Sequence, residues 1–127
     1  TDSNSLMKSI WIVPAAIITA TVVLAIANPS NETHLYSQIA SAEKYYRENR
    51  YDRALDELNT ILSAHKYSLD SQAGTLIAEA HLLRGIIYVE TGDLESAITE
   101  LSLAIRWGNP ETKAAANEIL VAINFKS

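Results

Sequence analysis

Aligned against itself, the sequence matches at one offset, 43 residues. Ala42, Tyr45, Asn49, Tyr51, Ala54, Leu58 and Ile61 return as Gly85, Tyr88, Gly92, Leu94, Ala97, Leu101 and Ala104. Leu55 and Leu62 return likewise as Ile98 and Ile105. A fixed-period recurrence means that one supersecondary unit is built twice and stacked. The spacings inside the unit are those of helices, and no stretch alternates as a half-buried strand does. Gly92 can take the left-handed conformation that closes a helix, and Asn49 is the next best residue at the equivalent place. Asp93 and Asp52 follow, where a side chain can cap the next helix. Ala54 and Ala97 are small because a tight crossing of antiparallel helices leaves no room for more. Tyr45, Tyr51 and Tyr88 fill packing positions and are expected in the core. Helices are expected near 32–49, 51–65, 71–91, 93–106 and 110–125, the last opening with Asn109-Pro110 as cap and first-turn proline. Its Ala116, Ile119, Leu120 and Ile123 form a stripe suited to covering the end of the second unit.

The second copy reads Gly85, Tyr88, Gly92-Asp93, Ala97, Leu101, Ala104, and Pro110 closes it. This pattern resembles the tetratricopeptide repeat. The first copy departs further, with Ala42 for glycine, Asn49 at the turn and no closing proline; both lack the family's early tryptophan. The offset exceeds the family period of about 34 residues, which points to an insertion around Lys66 to Ala73. The resemblance covers Tyr36 to Pro110. It implies an all-α fold in which residues 29–127 form a short solenoid of two helix-turn-helix repeats, about 35–67 and 78–110, with a capping helix at 110–125. In that family the inner helix of each repeat lines a concave groove that binds partners. Carried over by position, the groove residues are Tyr36, Ile39, Glu43, Tyr46 and Arg47 from the first copy and Glu79, Leu82, Ile86, Val89 and Glu90 from the second. Tyr46 and Arg47 are not required by the repeat's own packing and are expected to be largely exposed. The face lacks the Lys/Asn/Arg set with which chaperone-binding members clamp a C-terminal carboxylate, so an apolar or helical peptide suits it better. The alternative is that so short a groove packs permanently on a neighbouring protein.

Ahead of the repeats, 23 consecutive residues between Lys8 and Glu32 carry no charge. The stretch from Ile10 to Ala27, IWIVPAAIITATVVLAIA, has the length that about 30 Å of hydrocarbon requires of a helix. Residues 1–8 are then a tail and 9–28 a transmembrane helix. Lys8 can snorkel to the headgroups, Trp11 lies at interfacial depth, and Pro14 introduces a mild kink. Ala25-Ile26-Ala27 offers a signal-peptidase site, but the apolar run is longer than a signal peptide uses and Pro29 crowds the scissile bond. With Lys8 before the span and no further Lys or Arg until Lys44, the cation count places the N-terminus in the cytoplasm and the repeats outside it.

Chemistry has few footholds. The chain has no cysteine, so thiolate ligands and nucleophiles are excluded. A net charge of −5 has the wrong sign for a general nucleic-acid binder. His34, His65 and His81 are scattered, without zinc-ligand spacing, and no phosphate loop or nucleophile elbow is present. His65 falls near a helix end, where the dipole favours a cation, and His81 near the repeat seam. Asp56 and Glu57 share a helix with Arg53 and read as solvated surface. Asn31-Glu32-Thr33 is a formal glycosylation sequon too close to the membrane for use. No catalytic, cofactor or metal site and no small-molecule substrate are expected.

The expected function is therefore that of a non-catalytic, membrane-anchored protein–protein interaction module: a scaffold, assembly factor or accessory partner of a membrane complex, held in the bilayer through residues 9–28. The alternative is a permanent structural subunit of an energy-converting, for example photosynthetic, or secretion complex.

Overall fold

The computed structural model describes residues 32–64 and 71–126. Among them the chain forms five α-helices: α1 (Glu32–Arg47), α2 (Tyr51–Ala64), α3 (Ser71–Thr91), α4 (Leu94–Trp107) and α5 (Pro110–Lys126). The all-α expectation holds, and the helix bounds fall within about two residues of those read from periodicity and caps. The expected span with Ile10, Trp11, Pro14 and Ala27 lies outside the described residues, as do His65 and the start of the insertion at Lys66. Among the described residues, no helix is long and apolar enough to cross a membrane.

The two hairpin turns are built alike. Asn49 has φ 61° and Gly92 φ 88°, the left-handed conformation that ends a helix. At the first turn Asn49 N–H donates to Tyr46 C=O at 3.0 Å and Arg50 N–H to Tyr45 C=O at 2.8 Å. At the second, Gly92 N–H donates to Val89 C=O at 3.2 Å and Asp93 N–H to Tyr88 C=O at 2.9 Å. This is the same paired closure, 43 residues apart, satisfying carbonyls that a helix end would leave orphaned. Glycine carries the strained torsion freely; asparagine tolerates it better than most residues.

The caps differ. Asp93 accepts from Ser96 N–H at 3.2 Å and caps α4. Asp52 does not do this for α2. That helix starts two residues earlier than a cap at Asp52 requires, Ala54 N–H bonds back to Arg50 C=O, and Asp52 lies in the first turn. There its charge complements the helix dipole rather than capping a single N–H. Asn109 caps α5 as expected, accepting from Thr112 N–H at 2.9 Å ahead of Pro110.

Packing follows the chain. The α1–α2 and α3–α4 hairpins close on themselves, α5 packs along α4, and α3 touches all four of the others. Helices α2 and α4 do not pack on one another, nor does α1 on α4 or α5. Neighbour-only stacking through a shared middle helix is how repeat arrays bury a continuous core. The middle position explains why α3 buries a wide arc, with Leu82, Leu83, Ile86 and Ile87 all buried over about 140° of the helix at about 100° per residue. The outer helices bury single stripes: Leu35, Ile39, Ala42 and Tyr46 on α1; Ala54, Leu58 and Ile61 on α2; Ala97, Leu101 and Ala104 on α4; Ala116, Ile119 and Ile123 on α5. A Cβ at Gly85 would stand 3.0 Å from two Leu101 side-chain carbons. The α3–α4 crossing is close where the second copy places glycine, and even a methyl there would press on Leu101.

Candidate functional site

The residues assigned to a groove divide in two once they are placed. Ile39, Leu82, Ile86 and Val89 are core, and so is Tyr46, only 2% exposed. They are not available as groove floor, and the expectation that Tyr46 is exposed is corrected. The reason is helical register: Leu35, Ile39, Ala42 and Tyr46 fall at spacings of four, three and four, on one inward stripe. Tyr45, one position earlier and so about 100° around the helix, is only partly buried, as are Tyr51 and Tyr88. Arg47, with a side chain 43% exposed, is at the surface as expected.

The polar members of the set are brought together. Glu43 and Glu79 are buried, and burial first, then the charges of Glu79 and Glu43, push the Tyr36 hydroxyl above the ordinary phenol range. Arg47 pairs with Glu43 one turn earlier. Burial pushes the Glu43 carboxyl above its ordinary range; the Arg47 charge and hydrogen bond offset part of that. At the C-terminal ends of α1 and α3, Glu90 faces the Tyr46 and Tyr51 hydroxyls. Burial raises the Glu90 carboxyl, and the two hydroxyls lower it in part. Burial, then the Glu90 charge, raises both tyrosines in return, Tyr46 far above the ordinary phenol range. The two rings lie 5.9 Å apart, tilted by 32°. Although Tyr46 and Glu90 are close enough to shift one another, neither Tyr46 OH nor Glu90 Oε2 completes a hydrogen bond of standard geometry, and both atoms are buried. Tyr51 OH donates to Asn49 Oδ1 at 3.2 Å.

A second polar cluster escaped the sequence reading except for His81. Glu100 on α4, 7% exposed, takes His81 Nδ1 at 2.8 Å and Arg84 Nε at 2.7 Å on the same carboxylate oxygen. Arg84 reaches across with Nη1 to Asn59 Oδ1 on α2 at 2.9 Å. Burial would raise the Glu100 carboxyl, but hydrogen bonds from His81 and Arg84, with their charges, bring it below its ordinary range. Arg84 thereby bridges α2 and α4, which do not touch, and locks the seam between the hairpins. The signal was in the sequence: Glu100 interrupts the buried stripe of Ala97, Leu101 and Ala104, and His81 and Arg84 stand three apart on one helix face.

On the outer side, Asp56 is exposed and Glu57 half-buried. With Tyr45, Arg53 and Thr60 they line an open, largely polar depression of about 370 Å³. Among the described residues no group of three or more His, Asp or Glu side chains is placed to hold a metal ion.

No protein-family model, no curated protein and no solved structure matches the chain. The functional reading rests on its own residues.

Proposed function

We propose that this chain is a membrane-anchored, tetratricopeptide-like interaction module that scaffolds, assembles or accompanies a membrane protein complex and performs no catalysis. The observation that carries the reading is the repeated hairpin: two turns 43 residues apart with the same left-handed residue and the same two hydrogen bonds, stacked through α3. Such arrays present continuous surfaces to protein partners. The uncharged run from Ser9 to Asn31 supplies the anchor, and the lysine asymmetry supports an extracytoplasmic, periplasmic or lumenal repeat domain. The docking surface is the polar rim of the α1–α3 face, where Tyr36, Arg47 and Glu90 remain accessible above the buried residues.

Affinity purification of the full chain from native membranes tests this. A defined set of membrane proteins should accompany the wild type, and deleting residues 10–27 should release the chain into the soluble fraction without that set. A chain that stays in membranes after the deletion, or one that purifies alone, contradicts the proposal.

A further inference from the structure

We infer that the end of the array bearing Trp107 and Arg106 sits against the lipid headgroups of the bilayer. This rests on the membrane anchor of the reading just proposed and adds which end of the domain faces the lipid. The links between successive helices are short, residues 48–50, 65–70, 92–93 and 108–109, and each helix packs on the next. Helices joined so briefly to a packed neighbour run antiparallel. The order of side chains agrees, since Glu79 acts on Tyr36 and Glu90 on Tyr46, as they do when α1 and α3 run parallel. Both tight turns, at Asn49 and Gly92, therefore lie at one end of the array. The start of α1, the end of α4 and the start of α5 lie at the other. Trp107, the last residue of α4, thus shares an end with Glu32, the first residue of α1.

That end is the one tied to the apolar run. Only residues 28–31 separate Ala27 from Glu32, a reach of at most about 18 Å. Among the described residues Leu94, Ile98, Trp107 and Val121 are the large apolar side chains left exposed, and Trp107, at 39%, is the aromatic one and the one at this end. A built turn holds it there. Gly108 N–H donates to Ala104 C=O at 2.9 Å, and a Cβ at Gly108 would stand 2.5 Å from that same oxygen. The Arg106 guanidinium lies 5.1 Å from the Trp107 ring centroid and pairs with no carboxylate among the described residues. An indole has an apolar body and one N–H donor, which suits the boundary between acyl chains and headgroups. A guanidinium beside it supplies donors for lipid phosphate. A tether this short leaves little room for a protein between this end and the bilayer, so lipid is the occupant.

The test uses the full chain in vesicles of phosphatidylcholine and phosphatidylglycerol. The chain has two tryptophans, so Trp11→Phe leaves Trp107 as the single reporter. Lipids with a doxyl quencher close to the headgroup should quench Trp107 strongly, and iodide in solution should quench it little. In a second chain, Trp11→Phe, Trp107→Phe and Leu94→Trp move the reporter to the exposed opposite end of α4, about 20 Å away along the helix. There the lipid quencher should act at least threefold less and iodide at least threefold more. Equal lipid quenching at both ends, or a Trp107 open to iodide and untouched by the lipid quencher, would overturn the inference. The anchor is judged separately, by alkaline carbonate extraction of the same vesicles. A chain that resists extraction while Trp107 stays open to iodide overturns the lipid contact and leaves the anchor. A chain that is extracted although the lipid quencher reaches Trp107 overturns the anchor and leaves the contact.

Discussion

At the scale of single residues, adjacent tyrosines with different fates show what a helix does to neighbours. Tyr45 occupies the motif position and is partly exposed; Tyr46 continues the stripe from Leu35 and is core. Truncating Tyr46 to alanine should cost about 3 kcal/mol or more, whereas Arg47→Ala should cost less, about 1 kcal/mol, because Arg47 is exposed but leaves the buried Glu43 carboxylate without its cation. Chemical denaturation of the two variants separates them, and equal losses would contradict the register of α1. The carboxylates make opposite pH predictions. The Glu90 carboxyl has a raised pKa in the folded chain, so it favours folding most at low pH and loses that contribution as pH climbs through the raised value. Glu90→Gln should therefore raise the melting temperature at pH 7 and flatten its pH dependence above the ordinary carboxyl range. Glu100 is depressed, so its contribution is present at neutral pH and is lost as pH falls through its folded value. Glu100→Gln should lower stability at pH 7 by about 1–3 kcal/mol, because Arg84 and His81 lose a charged acceptor. Melts from pH 3 to 8 check both signs; the same slope in both variants would contradict the assignment.

At the scale of elements, helix bounds were legible because their ends obey local rules. Gly92 and Asn49 had to be turns, since few other residues accept a positive φ, and Asn109-Pro110 had to open a helix. What was not legible was tertiary. Asp52 was a local misreading instead: the offset that pairs Tyr51 with Leu94 pairs Asp93 with Arg50, and α2 begins at Tyr51. Glu100 drew no expectation, because a charge beside a buried stripe makes sense only once His81, Arg84 and Asn59 arrive from two other helices. The groove residues were carried over by position, and position does not say how closely α1 and α3 approach. The cap difference is measurable. Asp93→Ala should destabilise α4 by about 1 kcal/mol, and Asp52→Ala should cost α2 only a few tenths, the worth of an exposed dipole contact. Faster amide hydrogen exchange at the start of α4 and little change at the start of α2 is the expected pattern; the reverse would restore Asp52 as the cap.

At the scale of the whole molecule, α3 decides whether there is one body or two. It carries the contacts of both hairpins and of α5, and its Arg84 links α2 to α4 through Asn59 and Glu100. The α3–α4 crossing at Gly85, with Ala97 fully buried on α4, leaves little room for larger side chains. Ala97→Trp should cost roughly 1–3 kcal/mol or more by overpacking, a large share of the roughly 5–15 kcal/mol a small domain has. An unchanged circular-dichroism melt of the full chain in detergent would contradict the repeat register. Orientation is a separate question at this scale: a cysteine introduced at Ser127 should react with an impermeant maleimide in intact cells, and labelling only after lysis would put the repeats on the cytoplasmic side. The most direct test of the interaction role is photo-cross-linking in native membranes, with benzoylphenylalanine at position 47 on the α1–α3 rim and, separately, at position 56 on the outer face of α2. A covalent adduct with a membrane protein from position 47 and none from position 56 is the predicted result. An adduct from position 56 alone, or from neither position, would contradict docking through that rim.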